Sequence, residues 1–414
     1  MNSQSEVVDS DASTNDTIKG VIGAVVGDII GSMYEFKKVP CRIKWFSASD
    51  SVTDDSVLTV AVADALLHGK SFEQAFRTWG NQYPAAGFGK GFRKWIKTPS
   101  GTRNHSSANG CAMRISPVGF YGQNLKQVLE LAKEATIPTH DSRDGIRSAR
   151  AVAAAIFLAR EGNSKLEIRN YVEKTFRIPV YDNFQTADAF AARHRRSDYV
   201  MAPESVTIAM SAFMFGNDFN EVIETAVKFS VDTDTIAAIA GGVAAAYYGV
   251  PRTIAEQASI YIPKRMLDVI NEFDGANLPN LRITPPMVKR WGNDCVVVYG
   301  TNAEESEGER GYFETRTSRF TRMPLAGFPI HTIGTPIDTV KQDIRRLIAE
   351  VGANPDKIYL VQDVGLGKKS QIGLDVMVPL FEPLKDKENV YLYKDIWNRI
   401  NGILATKSQK ETRL

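Results

Sequence analysis

Two short stretches of this chain set carboxylates and hydroxyls side by side at the head of a long apolar run. The first is Thr53-Asp54-Asp55-Ser56, followed at once by VLTVAVADALL; the second is Asp232-Thr233-Asp234-Thr235, followed by IAAIAGGVAAAYYG. Both runs have helical length and are apolar on every face, which requires burial at the centre of a sizeable helical body. One oxygen-bearing side chain is enough to accept a hydrogen bond from a helix head, so capping accounts for part of the pattern. Capping does not account for several consecutive oxygen donors, twice. Carboxylates converging in a partly buried space repel one another unless protonated or neutralised. No His or Cys accompanies them, so hard oxygen ligation of Mg²⁺ or Mn²⁺ suits them better than zinc. Two such cations would sit about 4 Å apart between the clusters.

A third acidic element comes earlier, in GAVVGDIIGSMYEF. Asp28 and Glu35 fall two turns apart on one face if a single helix runs through Gly20 to Phe36. Glycines 23, 27 and 31 form a stripe that permits tight helix contact. Asp28 reads equally well as a polar group in a helix junction or as a direct participant. Glu35, at the end of the apolar stretch, suits a metal-facing or an acid/base carboxylate.

The rest of the chain narrows the class. Length 414 suits two or three domains, and a net charge of +2 argues against a protein that coats nucleic acid. The three cysteines (Cys41, Cys111, Cys295) are widely spaced, and the histidines complete no zinc signature. No signal-peptide pattern and no membrane-length apolar run is present, so a cytoplasmic protein without membrane partners is expected. Residues 1–17 are short-chained and polar and read as a disordered tail. Helical segments are expected at 55–67, 125–135, 142–160, 221–229 and 233–248, giving an all-α body over 18–276. Residues 277–289, proline-rich and aperiodic, read as a linker. From 290 to 414, β-rich runs alternate with helices (CVVVYG, DTVKQDIRRLIAEVG, KIYLVQDVGLG, NVYLYK), the pattern of a small α/β domain with a mostly parallel sheet.

The motif order GAVVGDIIGSMYEF, TDDSVLTVAVADALL, ANGCAMRISPVGF, THDSRDGIRSARAVAAAIFLAR and DTDTIAAIAGGVAAAYYG resembles the ADP-ribosylglycohydrolase family, over about residues 18 to 275. The stretch YPAAGFGKGFRKWI resembles the family's segment between the first acidic motif and the glycine loop. The resemblance implies an all-α ADP-ribosylglycohydrolase-like domain with two Mg²⁺ (or Mn²⁺) at the bottom of a cleft. It implies Thr53, Asp54 and Asp55 as one set of metal ligands and Asp232, Asp234 and Thr235 as the other. Glu35 and Asp55 become the catalytic candidates. Substrates of the family carry ADP-ribose on arginine or serine side chains of proteins, or on small molecules. An ADP-ribosylated nucleic-acid base is a less expected partner. Of three departures, one is that Ala202-Pro203-Glu204-Ser205 matches the family's Ser-Val-Pro-Glu segment only loosely, and the other two bear on the cleft. The aromatic-Gly-Asn-Gly loop of the family reads Ser107-Ala108-Asn109-Gly110-Cys111 here, and the two glycines before the second acidic motif are Ser230 and Val231. They motivate an alternative, a non-catalytic ADP-ribose-binding protein of the same fold. A metal-dependent phosphohydrolase also remains open on ligand chemistry alone.

No acidic residue lies between Glu73 and Glu130, whereas Arg77, Lys90, Arg93, Lys94, Lys97, Arg103 and Arg114 do. This is either a solvated basic surface or a field for a diphosphate. With the resemblance, Ser107, Asn109, Gly110, Cys111, Met113 and Arg114 are expected to bind substrate. Phe88, Phe92 and Trp95 read as core, His140 as a cap or packing residue, and Cys111 lacks a nearby base that would make it a nucleophile. The C-terminal segments CVVVYGT, IYLVQDVGLGKKS and VMVPLFEPL resemble a macrodomain-like α/β protein. Its Gly365-Leu366-Gly367 turn is either a tight structural turn or a phosphate seat. Nucleotide binding and a scaffold or oligomerisation role both suit that domain.

Overall fold

In the computed structural model, residues 16–193, 201–285, 287–288, 290–302, 326–366 and 372–402 are described. The first helix, α1 (Ile22–Ser32), packs antiparallel on the apolar helix that starts at Thr233. Its glycine stripe makes that contact. A Cβ at Gly27 would stand 2.0 Å from the Ala237 carbonyl oxygen, and one at Gly31 would stand 2.4 Å from that of Thr233. Only hydrogen fits at such distances, so the two backbones touch and the register between them is fixed.

Around this pair the helical body is built from α2 (Asp54–His68), α3 (Phe72–Gln82), α4 (Lys90–Trp95), α5 (Ser116–Tyr121), α6 (Leu125–Thr136), α7 (Arg143–Arg160), α8 (Lys165–Phe176), α9 (Phe184–Ala192), α10 (Ala202–Phe215), α11 (Phe219–Lys228), α12 (Thr233–Tyr247), α13 (Arg252–Ser259) and α14 (Lys264–Asp274). The five later helices expected from periodicity lie within a residue or two of their expected ends. Half of these heads carry a side-chain cap: Ser71, Asn124, Ser142, Ser164 and Asp218, for example, each accept a backbone N–H. Buried alanines of α7 and α12 let helices approach closely, and one apolar core runs from Ile18 to Leu278. No described helix is long and apolar enough to cross a membrane.

Two expectations at the N-terminus change. Thr17, assigned to the tail, lies in β1 (Thr17–Ile18), which pairs antiparallel with β2 (Val250–Pro251), and Asp16 meets Arg252 at 2.5 Å; residues 1–15 lie outside the described residues. α1 also stops at Ser32, so Asp28 and Glu35 do not share a helix face. The chain turns out of the helix because Phe36 takes φ 51° and sends its N–H to the Val231 carbonyl at 3.2 Å. That bond ties the end of α1 to the approach of α12.

The C-terminal part holds a separate apolar core, from Val296 to Ile396. Among the described residues its sheet is parallel throughout, in the order β4 (Ala326–Ile333), β3 (Cys295–Asn302), β5 (Ile358–Val361), β6 (Val390–Tyr391). The helix Ile337–Ala353 crosses from β4 to β5, and the segment VMVPLFEPL is helical over Leu374–Phe381. Gly365 turns with φ 73° just after β5; Gly367 lies outside the described residues. The stretch expected as a linker is partly structured: Thr284 N–H donates to Leu392 O at 2.9 Å and Leu392 N–H to Arg282 O at 3.0 Å.

Candidate functional site

Three segments bring carboxylates to one place, and the α1–α12 contact sets their spacing. Asp28, fully buried on α1, accepts from the Thr53 N–H (2.8 Å), the Thr53 hydroxyl (2.7 Å), the Ser56 N–H (3.1 Å) and the Ser56 hydroxyl. It thus holds the head of α2 from across the interface, while Thr53 itself caps by accepting from Asp55 N–H at 3.2 Å. On the other side, the Thr233 hydroxyl donates to Gly31 O at 2.8 Å, locking the head of α12 to the tail of α1. Carboxylate oxygens of Asp28, Asp55 and Asp234 consequently lie within 4.8 Å of one another, and so do those of Glu35, Asp232 and Asp234. Asp234 belongs to both groups. Asp28, Asp55 and Asp234 form a buried floor, and Glu35, Asp54 and Asp232 a half-buried rim.

The other expected residues arrange themselves around this centre in different ways. Thr235 is buried beside it, with its N–H on Asp234 Oδ1 at 2.9 Å. Asn109 donates from Nδ2 to Asp232 Oδ2 at 2.7 Å and to Ser205 Oγ at 3.1 Å. The Ser107 carbonyl accepts from Ala202 N–H at 3.1 Å, which fastens the glycine loop to the start of α10. Gly110 lies over the His140 ring, where a Cβ would come within 3.3 Å of Cε1. Met113 is buried, its sulfur 3.8 Å from the Thr235 hydroxyl.

Cys111 and Arg114 are sealed in the core. Cys111 is fully buried, its Sγ directed at the Ala108 and Gly145 carbonyls, and burial pushes its thiol up to about 12. Arg114 is also fully buried, stacked 4.0 Å from the Phe76 ring centroid and donating to Ala135 O and Thr139 Oγ1. Its aliphatic stem and flat guanidinium fill a core space, so it braces the loop from behind instead of facing substrate. Arg77 likewise spends its donors on Glu73 and on the carbonyls of Trp95, Ile96 and Thr98. Lys90, Arg93, Lys94 and Lys97 remain exposed on and after α4. Phe88, Phe92 and Trp95 stack on one another with centroids 4.7 and 5.5 Å apart, in or against the core as expected.

The electrostatics favour either protonation or a counter-charge. Burial lifts the Asp54 carboxyl to about 8, with Asp234 adding to it, and lifts Asp232 to about 6. The charge of Asp234, then burial, raises Glu35 to about 7. Asp55 and Asp234 are held well above the usual range by burial first and by neighbouring carboxyls next. Hydrogen bonds from Ser56 and Thr53 do not fully offset the same burial effect at Asp28. One oxygen of this set, Asp55 Oδ1, is buried with no hydrogen-bond partner. An all-oxygen donor set, an orphaned carboxylate oxygen and mutual repulsion are what a hard divalent cation would relieve, so the residues present fit such a group.

Some features of the site escape sequence reasoning. Asp28 is a capping hub, a role it acquires only through the α1–α2 contact. Gly87, with φ 116°, lies against Asp54, where a Cβ would be 3.2 Å from Oδ1. Ser230 sits at φ 56°, a conformation glycine adopts without strain, which explains a glycine preference before the second acidic motif.

Residues 10–281 match the family model described as ADP-ribosylglycohydrolase. The chain is similar to ADP-ribosylhydrolase ARH3 of Mus musculus, 23% identical over 55% of this chain and 82% of that protein. It is also similar to ADP-ribosylarginine hydrolase Tri1 of Pseudomonas putida (strain GB-1), 23% identical over 57% of this chain and 71% of that protein. A solved structure described as an ADP-ribosylglycohydrolase-related protein complex overlaps 63% of this chain and 94% of its own, with 23% identity and a TM-score of 0.45. With the acidic helix heads and the glycine loop all inside the matched span, the chain belongs to the ADP-ribosylglycohydrolase family.

Proposed function

We propose that this protein hydrolyses the glycosidic bond joining ADP-ribose to an arginine or serine side chain of a protein, or to a small acceptor. The observation that carries the reading is the pair of carboxylate groups sharing Asp234, with Asp55 Oδ1 buried and unpaired, in a family whose members are ADP-ribosyl hydrolases. Thr53, Asp54 and Asp55 on one side and Asp232, Asp234 and Thr235 on the other would hold two divalent cations, Mg²⁺ or Mn²⁺. Bound there, the pair supplies Lewis acidity to sugar hydroxyls and to water.

The chain's own residues do the rest. Glu35, on the rim, takes a proton from the water that adds to the anomeric carbon, and returns it to the departing nitrogen or oxygen as that bond breaks. Asp28 keeps the head of α2 rigid, and Asn109 fixes the orientation of Asp232, so the ligand oxygens need little rearrangement. The test is release of free ADP-ribose from ADP-ribosyl-arginine and ADP-ribosyl-serine peptides, with Mg²⁺ and with EDTA. Release that requires Mg²⁺ supports the hydrolase and names the linkage. Measurable affinity for ADP-ribose with no release from either peptide favours the binding-only alternative that residues 107–111 and 230–231 motivate.

A further inference from the structure

The family match ends at residue 281, yet a side chain from beyond it reaches the segment that leads into the first acidic head. Arg290 Nη1 donates to the Val52 carbonyl at 3.4 Å. Val52 is fully buried and immediately precedes Thr53. The remaining donors of the Arg290 guanidinium have no protein partner among the described residues, and no carboxylate of the cluster stands within ion-pair distance of it. Its charge nevertheless pulls down the carboxyls of Glu35, Asp54 and Asp28 against the general upward trend. Arg290 is therefore half-buried and anchored two residues before Asp54, with its other donors open to a ligand.

Its position is fixed from both sides. Asn293 N–H donates to Gln82 O at 3.1 Å and Asn293 Nδ2 to Asn81 O at 2.9 Å, which pins the connector to the end of α3. Trp291 is buried between β3, β5 and β6, its ring 4.9 Å from that of Tyr391. Arg290 is thus set between the helical body and the parallel sheet, with little freedom in its backbone. A half-buried cation with open donors is costly unless something anionic meets it. Carboxylates committed to bound cations are poor candidates for that meeting. ADP-ribose carries its negative charge on one diphosphate, whose geometry suits a planar guanidinium fork. Of the arginines in the basic stretch, Arg77 spends its donors on Glu73 and on carbonyls, Arg114 is sealed in the core against Phe76, Arg103 stands 3.6 Å from Asp141, and Arg93 is exposed on α4.

We propose that Arg290 is a positioning residue of the hydrolase site: its guanidinium binds the diphosphate of the ADP-ribose unit and so sets where the anomeric carbon lies against the acidic cluster. This rests on the function proposed above and makes the connector and its sheet part of the enzyme's substrate recognition. The test uses the full chain with Mg²⁺ and titrates ADP-ribose calorimetrically against wild type, Arg290→Gln, Arg290→Lys and Asn293→Ala. Mn²⁺ affinity of the ligand-free protein is measured alongside.

Arg290→Gln is expected to weaken ADP-ribose binding by about 10- to 100-fold, the usual scale for a lost charge-assisted hydrogen bond. Mn²⁺ affinity should be unchanged or tighter, since a nearby positive charge is removed. Arg290→Lys should recover part of the loss, and Asn293→Ala should lose less than Arg290→Gln. Unaltered ADP-ribose affinity in a folded Arg290→Gln overturns the proposal. So does a parallel loss of Mn²⁺ affinity, which marks a distorted site instead of a missing contact. Wild type that binds no ADP-ribose overturns this proposal and the hydrolase reading together. Wild type that binds ADP-ribose but releases none from either peptide counts against the hydrolase alone, because the titrations still decide Arg290.

Discussion

The two acidic helix heads use almost the same residues and are held in opposite ways. At the head of α2, Thr53 is an ordinary extended N-cap, and Asp28 satisfies the hydroxyls and N–H groups of Thr53 and Ser56 from a neighbouring helix. At the head of α12, Asp232 has ψ 76° and caps nothing; its carboxylate is steered by Asn109 from the glycine loop. Capping therefore explains much of the first cluster and little of the second. The first head is braced from a neighbouring helix and the second is steered from a loop, and Asp234, shared by both carboxylate groups, links them.

The largest effect should come from the shared residue. Asp234→Ala is expected to lose more than about 10³-fold in kcat, beyond the 10²–10⁴ range's lower end for a single proton-transfer group, and to lose Mn²⁺ binding in parallel. A fully active Asp234→Ala would end the two-group description. Asn109→Ala should cost roughly 10- to 100-fold in metal affinity or activity, as loss of an outer hydrogen bond to a ligand does. Equal losses from Asn109→Ala and Asp28→Asn in both activity and stability would erase the contrast drawn here. Asp28→Asn is instead expected to act mainly on stability, by about 1–3 kcal/mol in a denaturant titration, because an amide cannot accept from all four donors.

The pH dependence sharpens the same contrast. Glu35 and Asp54 titrate near 7 and 8 in the folded protein, above ordinary carboxyl values of 4.5 and 3.8. The folded state thus binds more protons than the unfolded one between those limits, and stability falls as pH rises through them. Metal-free protein should melt at a higher temperature at pH 6 than at pH 8. Added Mg²⁺ should raise the melting temperature at pH 8 more than at pH 6. An unchanged difference with Mg²⁺ would detach the cation from these carboxyls. The smallest effect is expected at Ser230→Gly, which relieves a left-handed residue and should stabilise by about 1 kcal/mol.

Much of the helical body was legible because its signals are local: caps, apolar periodicity and glycine spacing each act within a turn or two. Both acidic heads could be found for the same reason. What could not be read depends on contacts distant in sequence. Glu35 lies beyond the end of α1, beside a Phe36 whose N–H bonds to Val231, a contact no local pattern announces. Arg114 looks like a substrate residue in AMR and is a core brace because Phe76 and Thr139 surround it. Arg290 follows a proline-rich stretch that reads as a spacer, and its relevance comes from the clamp on α3 and the sheet. In the C-terminal part, alternating strands and helices announced a parallel sheet, whereas its strand order depends on pairings between segments distant in sequence.

The glycine stripe of α1 has a consequence for how this centre fails on heating. Because Gly27 and Gly31 press backbone against backbone, no rotamer change lies between the floor and the heads that carry the ligands. The gap between the acidic turns is gauged by main-chain atoms, which can widen only if whole helices slide. Side-chain loosening that dulls many sites well below their melting point has no purchase here. Catalytic geometry and the helical core should be lost in one event, so heat inactivation and cooperative unfolding should trace the same curve.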